Sequence, residues 1–333
     1  MRSLRISHAL ETGALRLPSE GLIAVFNAAG DDGFDGLPVE RVRMVQGFRP
    51  DHDMLAARGF TVSVGAEGDY AAAVICLPRA KAEARALVAE AVAHVPVGGL
   101  VIVDGQKTDG VDSMLKECRA RADVGEPVSK AHGKLFAFPS PGVAAFADWR
   151  AVPLLLAGGF ETVPGVFSAD GIDPGSALLA AALPAHLPKR VADLGAGWGY
   201  LSRAILAREG VEVVHLVEAS AGALDCARRN IVDPRAQFHW ADAVQFRLQG
   251  PVDAVVMNPP FHVGRETNAA LGVAFIRAAG SYMGPNGVLW MVANRHLPYD
   301  AALAEAFRDV EEIGGDRSYR LIRASRPTKP PRK

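Results

Sequence analysis

The chain has 333 residues, of which 49% are hydrophobic and 22% charged, and its formal net charge is −1. This composition is typical of a globular protein with a sizeable core, and the length suggests two domains. The near-neutral charge gives no global sign of nucleic-acid binding, although local charge can still serve it.

Three widely separated cysteines, Cys76, Cys118 and Cys226, form neither a metal-type spacing nor a disulfide framework, which favours a reducing compartment. No run approaches the roughly 18 apolar residues of a membrane helix. Residues 1–21 lack the apolar segment of a signal peptide. We therefore expect a soluble, cytoplasmic protein with no metal site and no membrane contact.

The first half alternates between strands and helices. Strands are predicted at 22–30, at 42–49, at 69–78 and at 96–106, with a helix at 81–95. The first of these strands ends in a turn.

The second half repeats this order more clearly. Strands are predicted at 190–197, 211–220, 236–243, 252–257 and 288–294, helices at 200–210, 221–232 and 270–283, and a turn at 284–287. Strands and helices at this spacing predict a parallel sheet covered on both faces. The repeated order indicates an internal duplication, although any two doubly wound domains look alike at this level of detail. We predict two tandem doubly wound, Rossmann-like α/β domains at 1–147 and 148–333.

The two copies differ where chemistry is expected. The turn after the first strand, "FNAAGDDG", lacks the glycine spacing of its counterpart "DLGAGWG". In the first half the third predicted strand ends in "CLPR", whereas the corresponding strand of the second half ends in "NPPF". The first domain thus has the features of a degenerate copy that has lost its site.

The predicted strand at 190–197 enters a glycine-rich turn. Gly195, Gly197 and Gly199 permit a tight turn and the close approach of a ligand to the backbone. A dinucleotide fold requires glycine at the next position, which is Tyr200, so the turn argues against a pyrophosphate site. It suits a ligand with an amino-acid moiety, whose ammonium Asp193 can meet. As a bare motif, the turn could also be structural only.

Two further acids follow strands of the same domain. Glu218, at the end of the next strand, is placed to accept both hydroxyls of a ribose; the alternative is a solvated surface side chain. Asp242, after the third strand, can accept from an adenine 6-amino group, or it can cap the following loop.

The fourth strand ends at Asn258-Pro259-Pro260-Phe261. Two consecutive prolines remove two backbone donors, so neither a strand nor a helix continues through them. An amide and an aromatic ring are thereby held at the end of a strand. In isolation this is a rigid turn with a core phenylalanine, but after a glycine turn we interpret it as a catalytic motif. We expect His262 to orient the loop or line the pocket rather than act as a base.

Together these residues resemble class I S-adenosylmethionine-dependent methyltransferases, whose Asn-Pro-Pro-aromatic motif marks enzymes that methylate conjugated nitrogens. The segments 164–179 ("PGVFSADGIDPGSALL"), 258–264 ("NPPFHVG") and 292–299 ("VANRHLPY"), in that order, resemble the RsmC family of small-subunit ribosomal RNA guanine-N2 methyltransferases. That family also pairs a degenerate N-terminal domain with an active C-terminal one. The Arg295-His296 pair departs from the family, which more often has a small residue and an aromatic there.

The resemblance implies S-adenosyl-L-methionine as the cofactor and the guanine N2 atom of 16S ribosomal RNA as the acceptor. The implied cofactor contacts are Phe167, Asp173, Asp193, Gly195, Ala196, Gly197, Gly199, Glu218, Ala219, Asp242, Ala243 and Asn258. Asp173, followed by a proline, also has the features of a helix N-cap. The implied partner is ribosomal RNA or the small subunit, bound by a monomer whose first domain serves as a scaffold.

The motif suits this reaction because the lone pair of the guanine amine is delocalised into the ring. The Asn258 side-chain oxygen and the Pro259 carbonyl can accept from both N–H groups and turn the lone pair toward the methyl group. Phe261 would stack on the base. Well-oriented reactants gain on the order of 7–11 kcal/mol in this way.

Other functions stay open at this point. A large-subunit guanine-N2 methyltransferase or a protein glutamine N5-methyltransferase must also methylate a nitrogen whose lone pair is delocalised. The glutamine methyltransferases more often have Tyr after the prolines. A non-catalytic assembly factor fits the first half alone. The basic C-terminal residues 317–333 predict either a disordered tail or contacts with phosphates, with residues up to Arg323 in a last strand.

Overall fold

A computed structural model describes residues 2–260, 262–263, 266–267 and 269–328. The chain divides into two compact units, Met1–Val152 and Pro153–Lys333, which are called the first and the second unit below. The division lies a few residues beyond residue 147, where the sequence placed the end of the first domain.

The first unit is a seven-stranded sheet flanked by helices. Its strands are β1 (Ile23–Phe26), β2 (Val42–Val45), β3 (Thr61–Ser63), β4 (Ala72–Cys76), β5 (Leu100–Gln106), β6 (Val128–Lys130) and β7 (Gly133–Pro139). Its helices are α1 (Arg2–Glu11), α2 (Arg49–Ala57), α3 (Lys81–His94) and α4 (Val111–Arg119).

The second unit has a small hairpin followed by another seven-stranded sheet. Its strands are β8 (Leu154–Leu156), β9 (Phe160–Thr162), β10 (Arg190–Leu194), β11 (Val213–Glu218), β12 (Ala236–Trp240), β13 (Val252–Met257), β14 (His262–Val263), β15 (Glu266–Thr267), β16 (Met283–Asn294), β17 (Phe307–Gly315) and β18 (Tyr319–Pro327). Its helices are α5 (Pro174–Ala182), α6 (Tyr200–Leu206), α7 (Ala221–Asn230), α8 (Ala269–Tyr282) and α9 (Asp300–Ala306).

The two large sheets share one strand order. Across the first sheet the order is β3-β2-β1-β4-β5-β7-β6, and across the second it is β12-β11-β10-β13-β16-β18-β17. In each sheet the first five strands of that order are parallel to one another, and each of the last two strands pairs antiparallel with the strand before it in that order. The carboxyl ends of the parallel strands meet at one edge, where ligands of such folds bind. The repeated order confirms the predicted tandem architecture.

Both faces of the second sheet are covered. Along β13, Val255 and Met257 pack into one apolar cluster with α8 and α9, whereas Ala254 and Val256 pack into another with α5, α6 and α7. Successive side chains of a strand point to opposite faces, so an uninterrupted apolar run is what a strand buried on both faces requires. The sheet of the first unit lies between two apolar clusters in the same way.

The strand registers align the two units residue by residue. Phe26 pairs with Val45 as Leu194 pairs with Val217, and Ile23 pairs with Ala72 as Val191 pairs with Ala254. At four of the aligned positions, the first unit has a side chain of a different chemical type from the predicted site residue of the second unit. The replacements are Val25 for Asp193, Asn27 for Gly195, Gln46 for Glu218 and Cys76 for Asn258.

Two predicted boundaries in the second unit were wrong. The helix expected to reach Gly210 ends at Leu206, because Glu209 forms a bridge with His186 and donates its N–H to the Ala185 carbonyl. The turn expected at 284–287 lies inside β16 as an irregularity, where the pairing with β13 shifts between Met283 and Val288.

The basic C-terminal segment is more ordered than predicted. β18 continues to Pro327 and pairs with both β16 and β17. Arg326 forms an ion pair with Asp309, and Arg320 forms one with Asp300 at 2.7 Å. These arginines therefore belong to the last strand of the sheet, β18, while residues 329–333 lie outside the described residues.

None of the helices in the described ranges combines the length and the apolar composition that crossing a lipid bilayer requires.

Candidate active site

The glycine turn between β10 and α6 is held by its own backbone amides. Gly195, Gly197 and Gly199 all have positive φ angles, of 75°, 55° and 93°. Residues that have a Cβ rarely adopt such angles. The N–H groups of Gly195 and Ala196 donate to the Val217 carbonyl, at 2.9 and 3.2 Å. Because these donors point to β11, they do not form a phosphate cradle. This geometry agrees with the argument from Tyr200 against a dinucleotide.

Glu218 ends β11 with both carboxylate oxygens engaged. Oε2 accepts from the Gly197 N–H at 2.8 Å, and Oε1 accepts from the Ser220 N–H at 2.7 Å. Burial raises the pKa of this carboxyl, while the backbone donors act in the opposite direction. An ionised carboxylate has about four lone-pair sites, so each oxygen can accept one further hydrogen bond. The side chain is thus fixed in an orientation that suits a pair of hydroxyls.

Asp193 is fully buried on β10. Its Oδ2 accepts from the Ser202 hydroxyl at 2.6 Å, and its Oδ1 has no hydrogen-bond partner in the described part of the chain. Burial, with a smaller contribution from the nearby charge of Glu218, raises the pKa of this carboxyl to about 7. Asp193 is not among the described residues that line the cavity. Its contact with a ligand ammonium stays a prediction.

Asp242, Ala243 and Ala219 form the next part of the same edge. Asp242 Oδ1 accepts from the Val244 N–H at 2.9 Å, so this oxygen stabilises the loop. Ala243 is buried, and its carbonyl accepts from the Tyr282 hydroxyl at 3.1 Å. The Ala219 carbonyl accepts from the Trp240 indole N–H at 2.8 Å. The three residues are fixed by internal contacts, and their contact with adenine stays a prediction.

Asn258 follows β13 and donates both of its amide hydrogens within the unit. Nδ2 donates to Asp173 Oδ2 and to the Ser176 hydroxyl oxygen, both at 2.9 Å. Pro259 is buried, and Pro260 is partly buried. Phe261 and Gly264 lie outside the described residues, as does the side chain of His262, so the predicted stacking role of Phe261 stays a prediction.

A cavity joins the glycine turn to Asn258. It is lined by Phe167, Ser168, Asp173, Ser176, Gly195, Ala196, Gly197, Trp198, Tyr200, Leu201 and Asn258. The structure thus brings together half of the twelve predicted cofactor contacts: Phe167, Asp173, Gly195, Ala196, Gly197 and Asn258. Glu218 is not among the described lining residues, but it accepts a hydrogen bond from one of them, Gly197. In the described part of the chain, no group of three or more His, Cys, Asp or Glu is arranged to hold a metal ion.

The segment before α5 forms one wall of this cavity. Asp173 caps α5 by accepting from the Ser176 N–H at 2.7 Å, as its sequence context indicated. Phe167 is 57% exposed, and its carbonyl accepts from the Trp198 indole N–H at 2.9 Å. Trp198, in the middle of the glycine turn, therefore ties this segment to the turn.

A family match covers most of the second unit. The family described as "Methyltransferase small domain" matches residues 157–323. The chain is 32% identical over 252 residues to the ribosomal RNA small subunit methyltransferase C of Klebsiella pneumoniae, covering 74% of this chain and 73% of that protein. It is also 32% identical over 255 residues to the protein of the same name from Erwinia tasmaniensis, with the same coverage. The chain belongs to this methyltransferase family.

A solved structure extends the match to both units. It is the 16S rRNA N2 methyltransferase (RsmC) of T. thermophilus in complex with AdoMet and guanosine. The TM-score is 0.78 at 25% identity, and the match covers 96% of this chain and 91% of that one. The sequence-based assignment to an RsmC-like family is confirmed.

In the first unit of this methyltransferase, side chains of the unit itself bond to one another and to the backbone at the corresponding edge of the sheet. Gln46, the counterpart of Glu218, donates from Nε2 to the Ala28 carbonyl at 2.6 Å and accepts at Oε1 from the Phe48 N–H at 2.8 Å. Asp104, on β5 beside Cys76, is fully buried and accepts from Arg2 and Arg5 of α1. The edge therefore has an ion-pair cluster and a neutral amide where the second unit has a carboxylate and a glycine turn.

Sequence reasoning missed Ser176 and Ser202 as partners of site residues. Ser176 is in the quoted segment 164–179, but only the tertiary contact with Asn258 reveals its role. Ser202 is in the helix after the glycine turn, on the face that meets Asp193. The available sequence signal was a serine near the start of the helix that follows the strand containing Asp193.

Proposed function

We propose that this protein transfers a methyl group from S-adenosyl-L-methionine to the exocyclic N2 of a guanine in small-subunit 16S ribosomal RNA. The observation that carries the proposal is the amide of Asn258. It is held on the wall of a cavity that also contains the glycine turn, with its N–H groups engaged elsewhere. The names and the bound ligands of the related proteins support the same reaction.

The residues of the cavity fit the cofactor. Glu218 offers two oxygens in a fixed orientation for the ribose hydroxyls, and the inward-pointing amides of the turn match a ligand without a phosphate. Asp193 Oδ1, which no described residue engages, is available for an ammonium group. Asp242 and Ala243 would meet the adenine, and Phe167, Asp173, Ala196 and Ala219 would border the rest of the molecule. When bound, S-adenosylmethionine supplies a methyl group on a sulfonium, and the neutral thioether that this sulfonium becomes is a good leaving group.

The chain's own residues then act mainly by position. Asn258 Oδ1 and the Pro259 carbonyl would accept from the two N–H groups of the guanine amine and turn its lone pair toward the methyl group. Pro260 and Pro259 restrict the backbone around these acceptors. Phe261 would stack on the base, which must be unstacked from its neighbours to enter the cavity. The proton can leave after the methyl group arrives, so no strong base is needed.

We further propose that the first unit, at about residues 1–147, is a scaffold that helps to hold RNA, that residues 148–333 are catalytic, and that the protein acts as a cytoplasmic monomer. The loss of the carboxylate and of the glycine at the edge of the first unit supports a role other than catalysis there.

Nucleoside mass spectrometry of ribosomal RNA from cells with and without the gene tests the proposal. We expect N2-methylguanosine to disappear from one small-subunit site in the deletion strain and to return with the wild-type gene. The Asn258→Ala variant should bind the cofactor and fail to restore the modification. Unchanged small-subunit RNA, with loss of the same modification from large-subunit RNA or of methylglutamine from a release factor, would assign the protein to an alternative substrate.

A further inference from the structure

The contact between Asn258 and the start of α5 bridges residues that are far apart in sequence. Asp173 Oδ2 accepts both from Asn258 Nδ2 at 2.9 Å and from the Ser176 N–H at 2.7 Å. The Ser176 hydroxyl oxygen lies at 2.9 Å from the same Asn258 nitrogen. One carboxylate thus links the helix cap to the amide that the reaction uses.

This contact determines which end of the amide faces the cavity. The oxygen and the nitrogen of an asparagine side chain are similar in shape, so their assignment depends on the hydrogen bonds around them. An ionised carboxylate has no donor and accepts only, so the amide must present its N–H groups to Asp173. Ser176 is compatible with this orientation because a hydroxyl oxygen also accepts. The group that Asn258 can still offer to a substrate is Oδ1, an acceptor.

The orienting group is itself fixed. Asp173 is the N-cap of α5, followed by Pro174 at the first helical position. Ser176 is 7% exposed, and α5 packs against the sheet through the buried residue Leu179. The carboxylate therefore keeps its place when the cavity is empty, so the amide is oriented before a substrate enters.

We propose that Asp173, assisted by Ser176, is a positioning residue that holds the Asn258 amide with Oδ1 toward the substrate amine. The proposal rests on the proposed function and adds to it a reason why Asn258 accepts rather than donates. If the amide turned over, its N–H groups would face the N–H groups of guanine, and neither side would have a partner. An unmade hydrogen bond of this kind costs on the order of 1–3 kcal/mol, or about 10- to 100-fold in rate.

The Asp173→Ser variant separates orientation from capping. Ser caps a helix about as well as Asp, so the thermal stability should stay close to that of the wild type. However, the shorter side chain removes the carboxylate acceptor from Asn258, and the remaining partner, the Ser176 hydroxyl, can donate to Oδ1 as well as accept from Nδ2, so the unique orientation is lost. We expect kcat for the RNA substrate to fall about 10- to 100-fold, with a smaller fall for Ser176→Ala because Asp173 remains. Asp233→Ser makes the same change at a carboxylate that also accepts a backbone N–H, from Arg235 at 2.9 Å, and should leave kcat unchanged.

A paired exchange gives a readout that a purely structural role does not move. In the Asn258→Asp variant two carboxylates face each other, and activity should be low. In the Asp173→Asn, Asn258→Asp double variant, the amide introduced on α5 can donate to one oxygen of the carboxylate introduced after β13, which leaves the other oxygen as an acceptor for the substrate. We expect the double variant to have at least about tenfold higher kcat than Asn258→Asp alone, because one hydrogen-bonded pair is restored.

The outcomes distinguish this inference from the proposed function. If Asn258→Ala retains full turnover, the proposed mechanism is wrong. If Asn258→Ala is inactive but Asp173→Ser has wild-type kcat, only the positioning role is overturned. A raised Kd for S-adenosylmethionine in calorimetry, with unchanged kcat at saturation, would also overturn it and leave Asp173 with its proposed cofactor contact alone. Loss of kcat without rescue in the double variant would likewise reject it.

Discussion

Glu218 and Gly197 are joined by a hydrogen bond of 2.8 Å from the Gly197 N–H to Oε2, which ties the end of β11 to the glycine turn after β10. The first unit shows what happens when the carboxylate is replaced by an amide. Gln46, at the same register position, donates to a carbonyl of the turn instead of accepting from it. The same backbone frame is therefore compatible with either group, but the carboxylate offers two accepting oxygens for a pair of hydroxyls and the amide offers only one.

We expect Glu218→Gln to weaken S-adenosylmethionine binding about 10- to 100-fold, because hydrogen bonds to a charged group contribute roughly 1.5–3 kcal/mol. Isothermal titration calorimetry measures the Kd, and thermal unfolding checks that the fold is kept. Wild-type protein should bind one cofactor per chain, since Gln46 has replaced the carboxylate in the first unit. Two sites per chain, or unchanged affinity in the variant, would contradict this account.

Asp193 should make the stability of the cofactor-free protein depend on pH. Burial raises its folded pKa to about 7, from an ordinary value of 3.8. Between these values the folded state keeps a proton that the unfolded state has lost. The free energy of unfolding therefore falls as pH rises from about 4 to 7, by on the order of 1 kcal/mol per pH unit. Asn does not ionise, so Asp193→Asn should lack this dependence and be the more stable protein at pH 8.

The same group gives a test of the cofactor contact. If the carboxylate meets the ligand ammonium, the cofactor favours the ionised form. The affinity of the wild type should then rise between pH 6 and 8, and that of Asp193→Asn should not. If the affinity of the wild type does not change with pH, the Asp193 carboxylate does not contact the ammonium group of the cofactor.

His215 should have the opposite dependence. It is buried on β11, with Nδ1 at 3.1 Å from His239 Nε2, and its Nε2 has no hydrogen-bond partner among the described residues. Burial lowers its pKa to about 4, with further contributions from His239 and Arg190. The folded state keeps the ring neutral while the unfolded chain takes up a proton below about pH 6.5. The stability that this ring contributes is thus present above pH 6.5 and is lost as pH falls toward 4. Chemical denaturation of wild type and His215→Phe at pH 7 and 5 should show that lowering the pH changes the free energy of unfolding more favourably in the variant, because it lacks this loss.

Local patterns predicted the parts of the site that lie within one segment. The strand Val252–Met257 matches its predicted bounds because an apolar run ended by two prolines leaves little choice. The glycine turn was equally visible. The contact of Asn258 with Asp173 was not, because it joins side chains 85 positions apart and depends on how α5 packs on the sheet. Similarly, composition suggested a tail after Arg323, whereas pairing with β16 and β17 extends the strand to Pro327.

A last prediction concerns the packing behind the site, where Gly272 in α8 faces Tyr299. A Cβ added to Gly272 would overlap the phenol ring of Tyr299, which is fully buried and cannot move to solvent. Replacing a helical glycine by alanine usually stabilises a protein by about 0.4–1 kcal/mol. Here overpacking should cost about 1–3 kcal/mol, which exceeds that gain, so Gly272→Ala should unfold at lower temperature than the wild type.

Gly222 in α7 is the matched control. It is exposed, and an added Cβ would meet no atom within 4 Å, so Gly222→Ala should raise the melting temperature. Among the described residues the hydroxyl of Tyr299 has no hydrogen-bond partner, so Tyr299→Phe should cost little and should reduce the loss caused by Gly272→Ala. Equal stabilisation by both alanine substitutions would show that α8 does not pack against Tyr299 as described. Since neither Gly272 nor Tyr299 is among the described residues that line the cavity, a Gly272→Ala protein that folds should still bind the cofactor with near wild-type affinity.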